Sequence, residues 1–177
     1  VGIGTVTDSL TSLKYNVFDK KKPSWSGSDG FSMEEFLFAM GKNFDGFDDL
    51  KNILRNETPK YGNDNDYADD ILKTVFEIYF SAIDGRPNTK GGHFRINLLP
   101  TTSHVYFGSV TGATPDGRLS GLPVSEGISP VQGADVNGPT AVLKSAAKID
   151  HLRTGGTLLN QKFSPQIFEG EESINKI

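Results

Sequence analysis

Residues 66–99 read DYADDILKTVFEIYFSAIDGRPNTKGGHFRINLL, and their hydrophobic period changes partway along. From Asp66 to Ile83, the residues Ala68, Ile71, Leu72, Val75, Phe76 and Tyr79 recur at intervals of three and four, which gathers them on one face of a long helix. After the turn-rich DGRPNTKGG, Phe94, Ile96 and Leu98 alternate with Arg95 and Asn97, the pattern of a half-buried strand over 93–99. Residues alone therefore predict a chain that mixes helix and strand.

Toward the N-terminus the helical period dominates. Val6, Leu10, Leu13 and Val17 fall four, three and four apart, which predicts an amphipathic helix over about 5–19, docked through that stripe. The segment KKKPSWSGSDG has the composition of a surface loop. Ser32 and Glu35 then form a capping box ahead of Met33, Phe36, Leu37 and Met40, which starts a second helix. A third, short helix over about 47–55 carries Leu50, Ile53 and Leu54, with Pro59 as its stop.

Toward the C-terminus, residues 108–139 are rich in Gly and Pro and show no apolar period, so they cannot make a core alone and are expected to lie over a larger body. TAVLKSAAKI predicts a helix over 140–149, and residues 157–163 a second strand. The chain thus divides into a helical part, about 1–84, and a strand and Gly/Pro-rich loop part, about 85–177.

Composition narrows the function classes. The 177 residues suffice for one domain, and with Gly counted the apolar fraction is about 45%, the ordinary globular value. Eighteen basic and 22 acidic residues, with neither sign gathered into a tail, argue against a nucleic-acid or membrane-surface partner. No window approaches the roughly 20 apolar residues of a membrane span, and VGIGTVTDSL lacks the pattern of a signal peptide. The absence of Cys removes disulfides, thiolate metal sites and thiol nucleophiles from these residues. A start at Val1 and an apolar-periodic SINKI with no stop signal suggest that both ends are cropped.

Candidate chemistry is sparse. His93, His104 and His151 do not stand at metal-ligand spacing, and no metal site is expected. Asp64, Asp66, Asp69 and Asp70 lack the Gly of a calcium loop and fit a helix N-terminus better. Asn56-Glu57-Thr58 has the form of a glycosylation acceptor, without the secretory context that would use it. In GATPDGR, Asp116 and Arg118 are expected to pin a turn, and no phosphate-loop pattern is present. Ser125 and Ser129 have no base beside them, which argues against a serine hydrolase, and Asp135 before Gly138-Pro139 is expected to cap the next helix.

Five blocks in order, GIGTVTDSLTSLKYNVFD, TPKYGNDNDYADDI, TSHVYFGSVTGATPDGR, SEGISPVQGADVNGPTAVLKSAAKID and TGGTLLNQKFSP, resemble the pyruvate formate-lyase-like glycyl radical enzymes over essentially the whole chain. The wording KYGNDNDYAD and GPTAVLKSAAKIDH is similar to the dehydratase branch, whose members remove water from small hydroxylated substrates such as trans-4-hydroxyproline, glycerol and diols. The resemblance implies an α/β fold, namely part of a ten-stranded α/β barrel in which a Cys loop and a Gly radical loop meet. Neither loop is legible here, so the expectation is a helix-rich, incomplete internal piece of the C-terminal half that supplies wall and scaffold.

The resemblance further implies a protein glycyl radical installed by a radical-SAM activating enzyme, with no other bound cofactor. It also implies a small-molecule substrate, a homodimer at full length, and a place in the anaerobic cytoplasm. Thr157, and more weakly Asn160, are carried over as substrate-binding residues, and no residue of this chain as catalytic. A formate C-acetyltransferase fragment is the alternative within the enzymes. A noncatalytic binding or split-enzyme module is the alternative outside them, and it would not expose wide apolar surface.

Overall fold

The computed structural model describes residues 1–21, 30–99 and 102–163; the SINKI segment lies outside them. Six helices are present among the described residues: α1 (Ile3–Leu13), α2 (Met33–Gly41), α3 (Asp48–Asn52), α4 (Asp66–Ile83), α5 (Ser103–Ser109) and α6 (Pro139–Ala146). Helices α1 and α3 each run on into a wider π-type turn, Lys14–Phe18 and Ile53–Glu57, and His151–Arg153 forms a 3-10 turn.

The strongest local signals hold. Helix α4 has the bounds its period predicts, and the Asn65 side chain accepts the Tyr67 N–H at its start. Ser32 and Glu35 complete their capping box at 3.1 and 2.7 Å. Helix α5 was not expected, because seven residues are too few for a 3.6-residue period to register. Helix α6 stops at Ala146, short of the predicted Ile149, and its N-cap is Gly138 without a side-chain bond, so Asp135 is not the cap.

The expectation for α1 holds in part: Leu13 and Val17 pack against the apolar cluster of Phe36, Leu50 and Leu54, but the first half of the stripe does not turn inward. Val6 and Leu10 are 46% and 43% exposed, whereas Ile3, Gly4, Thr5, Thr7, Asp8, Thr11 and Ser12 are buried. Local partners meet part of this inward polar face, while the Thr7 and Ser12 hydroxyls and one Asp8 oxygen have none among the described residues. The Thr11 hydroxyl donates to the Thr7 carbonyl at 2.8 Å, and the Ser125 N–H donates to the Thr5 hydroxyl at 2.8 Å while the Thr5 N–H donates back to the Ser125 hydroxyl at 3.0 Å. Gly4 lets this loop come close: a Cβ there would lie 2.9 Å from the Ser129 carbonyl oxygen. Ser125 is thereby a docking residue for the first turn of α1.

Neither predicted strand forms a ladder. Leu98 and Thr157 make one isolated parallel bridge, and Pro87 and His93 one antiparallel bridge. Around the first, the Gly155 N–H donates to the Ile96 carbonyl at 2.8 Å, the Leu98 N–H to Gly156 at 2.8 Å and the Leu158 N–H to Leu98 at 3.0 Å. Pairing ends there because the Asn160 N–H turns to the Ser129 hydroxyl at 3.2 Å. The alternation is half right: Ile96 and Leu98 are buried, and Phe94 is exposed.

Two apolar clusters organise the chain. One joins Ile3, Tyr61, Leu72, Phe76, Ile96, Leu98 and Ile128, so that α1 and α4 clasp the paired segments. The other gathers Phe31, Phe36, Ala39, Phe44, Leu50 and Leu54 around α2 and α3.

Candidate functional site

Two groupings of polar side chains stand out. A cleft of about 450 Å3 is lined by Asp8, Lys60, His104, Asp116 and Arg118, with Arg55 and Gln132 among its other walls. Asp8 projects from the inward face of α1, and one of its oxygens accepts the Tyr61 N–H at 2.8 Å. Burial pushes its carboxyl up to about 7, against the opposing pull of Lys60. Burial likewise lowers the Lys60 ammonium below the usual lysine range, and its Nζ donates to the Asp116 carbonyl at 3.2 Å.

Arg118 does not fork onto a carboxylate. Its guanidinium donates to the carbonyls of Leu119 at 3.1 Å, Leu122 at 2.5 Å, Thr111 at 3.3 Å and Gly112, and its Nε to the Thr114 hydroxyl at 3.1 Å. Planar and always charged, the side chain is a hub that winds residues 111–122 around itself. Asp116 Oδ1 takes the Thr114 hydroxyl proton at 2.5 Å. Both residues pin the turn, as GATPDGR predicts.

Lys148 governs the acidic cluster of α4. It reaches Asp66 and Asp69 at 2.7 Å each and Asp64 at 3.5 Å. Burial works against its charge, but the hydrogen bonds and charges of Asp66 and Asp69 hold its ammonium well above the usual lysine range. Asp66 and Asp69 occupy the first turn of α4, in keeping with the helix-terminus reading.

The second grouping surrounds Thr157, which is half-buried beside the Leu98 bridge. Its hydroxyl lies 3.1 Å from His151 Nδ1 and 3.1 Å from the Thr154 hydroxyl. His151 Nε2 lies 2.7 Å from the Ala146 carbonyl oxygen, and the Thr154 hydroxyl donates to the His151 carbonyl at 2.9 Å. Arg153 ties this corner to α4 through a bidentate pair with Glu77, 3.0 Å at one contact, and lies 3.9 Å over the Phe80 ring. Asn160 is exposed and donates to Glu126 at 3.0 Å. Thr157 and Asn160 share none of these bonds, so the structure does not unite the two expected substrate contacts in one network. In the sequence His151 is weighed only as a metal ligand; the short spacing HLRTGGT, over which the chain folds its ring back onto Thr157, is the signal for this contact.

Residues 1–108 match the pyruvate formate lyase-like family, and residues 124–177 match the glycine radical family. The chain belongs to the pyruvate formate lyase-like family. Among its relatives, trans-4-hydroxy-L-proline dehydratase from Clostridioides difficile is 54% identical over 177 residues, all of this chain and 21% of the relative. The crystal structure of hydroxyproline dehydratase from Clostridioides difficile with substrate trans-4-hydroxy-L-proline bound matches with a TM-score of 0.89 at 55% identity, over 99% of this chain and 21% of that one. The glycerol-bound B12-independent glycerol dehydratase from Clostridium butyricum matches with a TM-score of 0.84 at 38% identity, over 99% and 21%. This pyruvate formate lyase-like chain thus spans about a fifth of the length of the relatives it matches. It is a helix-rich, incomplete part of the α/β barrel of glycyl radical enzymes, and its glycine radical match points to a protein-borne radical.

Proposed function

We propose that this chain forms part of the wall of a glycyl radical dehydratase that removes water from a small hydroxylated substrate, trans-4-hydroxyproline first among the candidates. The observation that carries this reading is the gradient of likeness, 55% identity to the hydroxyproline enzyme against 38% to the glycerol enzyme over the same 99% of the chain. Exposed apolar surface supports a wall segment over a free-standing module: Leu37, Phe38, Ile78, Tyr106 and Val110 are each more than half exposed.

In this reading a radical passed from glycine to a cysteine outside these 177 residues removes hydrogen from an unactivated C–H bond. This chain's task is to hold the substrate at reacting distance and keep water out. Thr157 is its substrate contact, with Asn160 as a second; the radical is installed by a radical-SAM activating enzyme, and the protein works as a cytoplasmic homodimer.

The test is an anaerobic assay of the full-length protein after activation, comparing trans-4-hydroxyproline, glycerol and pyruvate with coenzyme A. Turnover of hydroxyproline at least tenfold above glycerol in kcat/KM is expected. Formation of acetyl coenzyme A would instead make the protein a formate acetyltransferase, and radical formation without turnover of any of the three would remove the substrate assignment.

A further inference from the structure

We infer that His151 is a positioning residue that takes the Thr157 hydroxyl proton, so that Thr157 turns an oxygen lone pair, and not a proton, toward the substrate. A carbonyl oxygen can only accept, so the 2.7 Å contact with Ala146 places a proton on His151 Nε2. In the neutral ring Nδ1 is then a bare acceptor, and the hydroxyl facing it at 3.1 Å is that of Thr157. Thr154 cannot replace it: its own proton goes to the His151 carbonyl at 2.9 Å, with the Thr157 oxygen 3.1 Å away as a shared acceptor.

A threonine hydroxyl has one proton and two lone pairs. With the proton committed to His151 and one lone pair turned to Thr154, a single lone pair is left. That lone pair pairs with a donor, so the substrate group it reads is an N–H or O–H, as on an amine or a hydroxylated carbon. The carbonyl of Ala146 at the end of α6 is therefore the fixed point from which a side-chain relay reaches the substrate pocket.

This inference rests on Thr157 contacting substrate, and the test separates the two claims. In the full-length enzyme with its radical installed, Thr157→Val should raise KM about tenfold with kcat within about twofold, the loss of about one hydrogen bond. His151→Gln, which can still reach the Ala146 carbonyl but offers nothing at the Nδ1 position, should match it. His151→Asn, whose amide oxygen sits near the Nδ1 position, should keep KM within about threefold, and the His151→Gln, Thr157→Val double variant should be no worse than Thr157→Val alone. Radical content by electron paramagnetic resonance, together with melting, confirms that each variant is folded.

If Thr157→Val raises KM and His151→Gln does not, the positioning role falls and the substrate contact survives. Multiplying effects in the double variant, or an Asn variant as impaired as the Gln variant, would also overturn it. An unchanged KM in Thr157→Val would remove the contact itself, and this inference with it.

Discussion

Lys148 Nζ lies 2.7 Å from Asp69 Oδ2, a carboxylate with no exposed surface. The ammonium comes from the residues following α6 and the carboxylate from the first turn of α4, so one ion pair staples two helices far apart in sequence. Ser145 adds a hydroxyl to the same oxygen at 3.0 Å, while Asp69 Oδ1 has no partner among the described residues. Removing the lysine strands a buried charge. Lys148→Met should therefore destabilise the protein by about 2 to 3 kcal/mol, below the full cost of about 3 to 5 for a wholly buried pair because Lys148 keeps some exposure. Adding Asp69→Asn should recover part of the loss, measured by thermal denaturation of both variants.

Asp8 makes a pH-dependent contribution with a defined sign. Folding raises its carboxyl from an ordinary 3.8 to about 7, so between these values the folded chain holds a proton that the unfolded chain has released. Stability from this group is full below about pH 4, falls as the pH rises toward 7 and is flat above. Within that window one bound proton changes stability by about 1.4 kcal/mol for every pH step of one. Asp8→Asn keeps an acceptor for the Tyr61 N–H and should be stabilised relative to the parent at pH 8 but not at pH 4. Parallel denaturation profiles for the two proteins across that range would contradict the assignment.

The carbonyl hub at Arg118 predicts a failure of the nominally conservative replacement. A lysine ammonium is a point donor and cannot meet the carbonyls of Thr111, Gly112, Leu119 and Leu122 together. With hydrogen bonds from a charged group worth about 1.5 to 3 kcal/mol each, Arg118→Lys should speed amide exchange in residues 111–122 by at least about tenfold. Amides of α4 should exchange at unchanged rates, which hydrogen exchange read by mass spectrometry would resolve.

Two glycines in helices should respond with opposite signs. A Cβ on Gly108 in α5 would meet the Leu122 carbonyl and, at 2.5 Å, the Pro123 Cα, both backbone. At Gly41, the last residue of α2, a Cβ meets nothing within 4 Å. Gly41→Ala should be neutral or stabilising by up to about 1 kcal/mol, the usual helix preference. Gly108→Ala should cost about 1 to 3 kcal/mol, because rigid backbone must move. Melting temperatures of the two variants, compared with the parent, decide between these outcomes.

What the sequence determined by itself is everything carried by neighbours along the chain. The bounds of α4, the capping box of α2 and the turn at Asp116 were legible because three- and four-residue spacings and local hydrogen bonds need no distant partner. The five ordered blocks likewise placed the chain among glycyl radical enzymes. Tertiary structure alone decided which face of α1 turns inward, since the hydroxyls of Thr5 and Thr11 and one carboxyl oxygen of Asp8 find their partners in the interior only once Ser125, the Thr7 carbonyl and Tyr61 are brought to them. It alone limited the two expected strands to a bridge at Leu98 and Thr157, because a ladder grows only where a second backbone offers its amides in register. It alone joined His151 to Thr157, since a hydrogen bond across a reversing chain leaves no period to read and is fixed by where the backbone brings the ring.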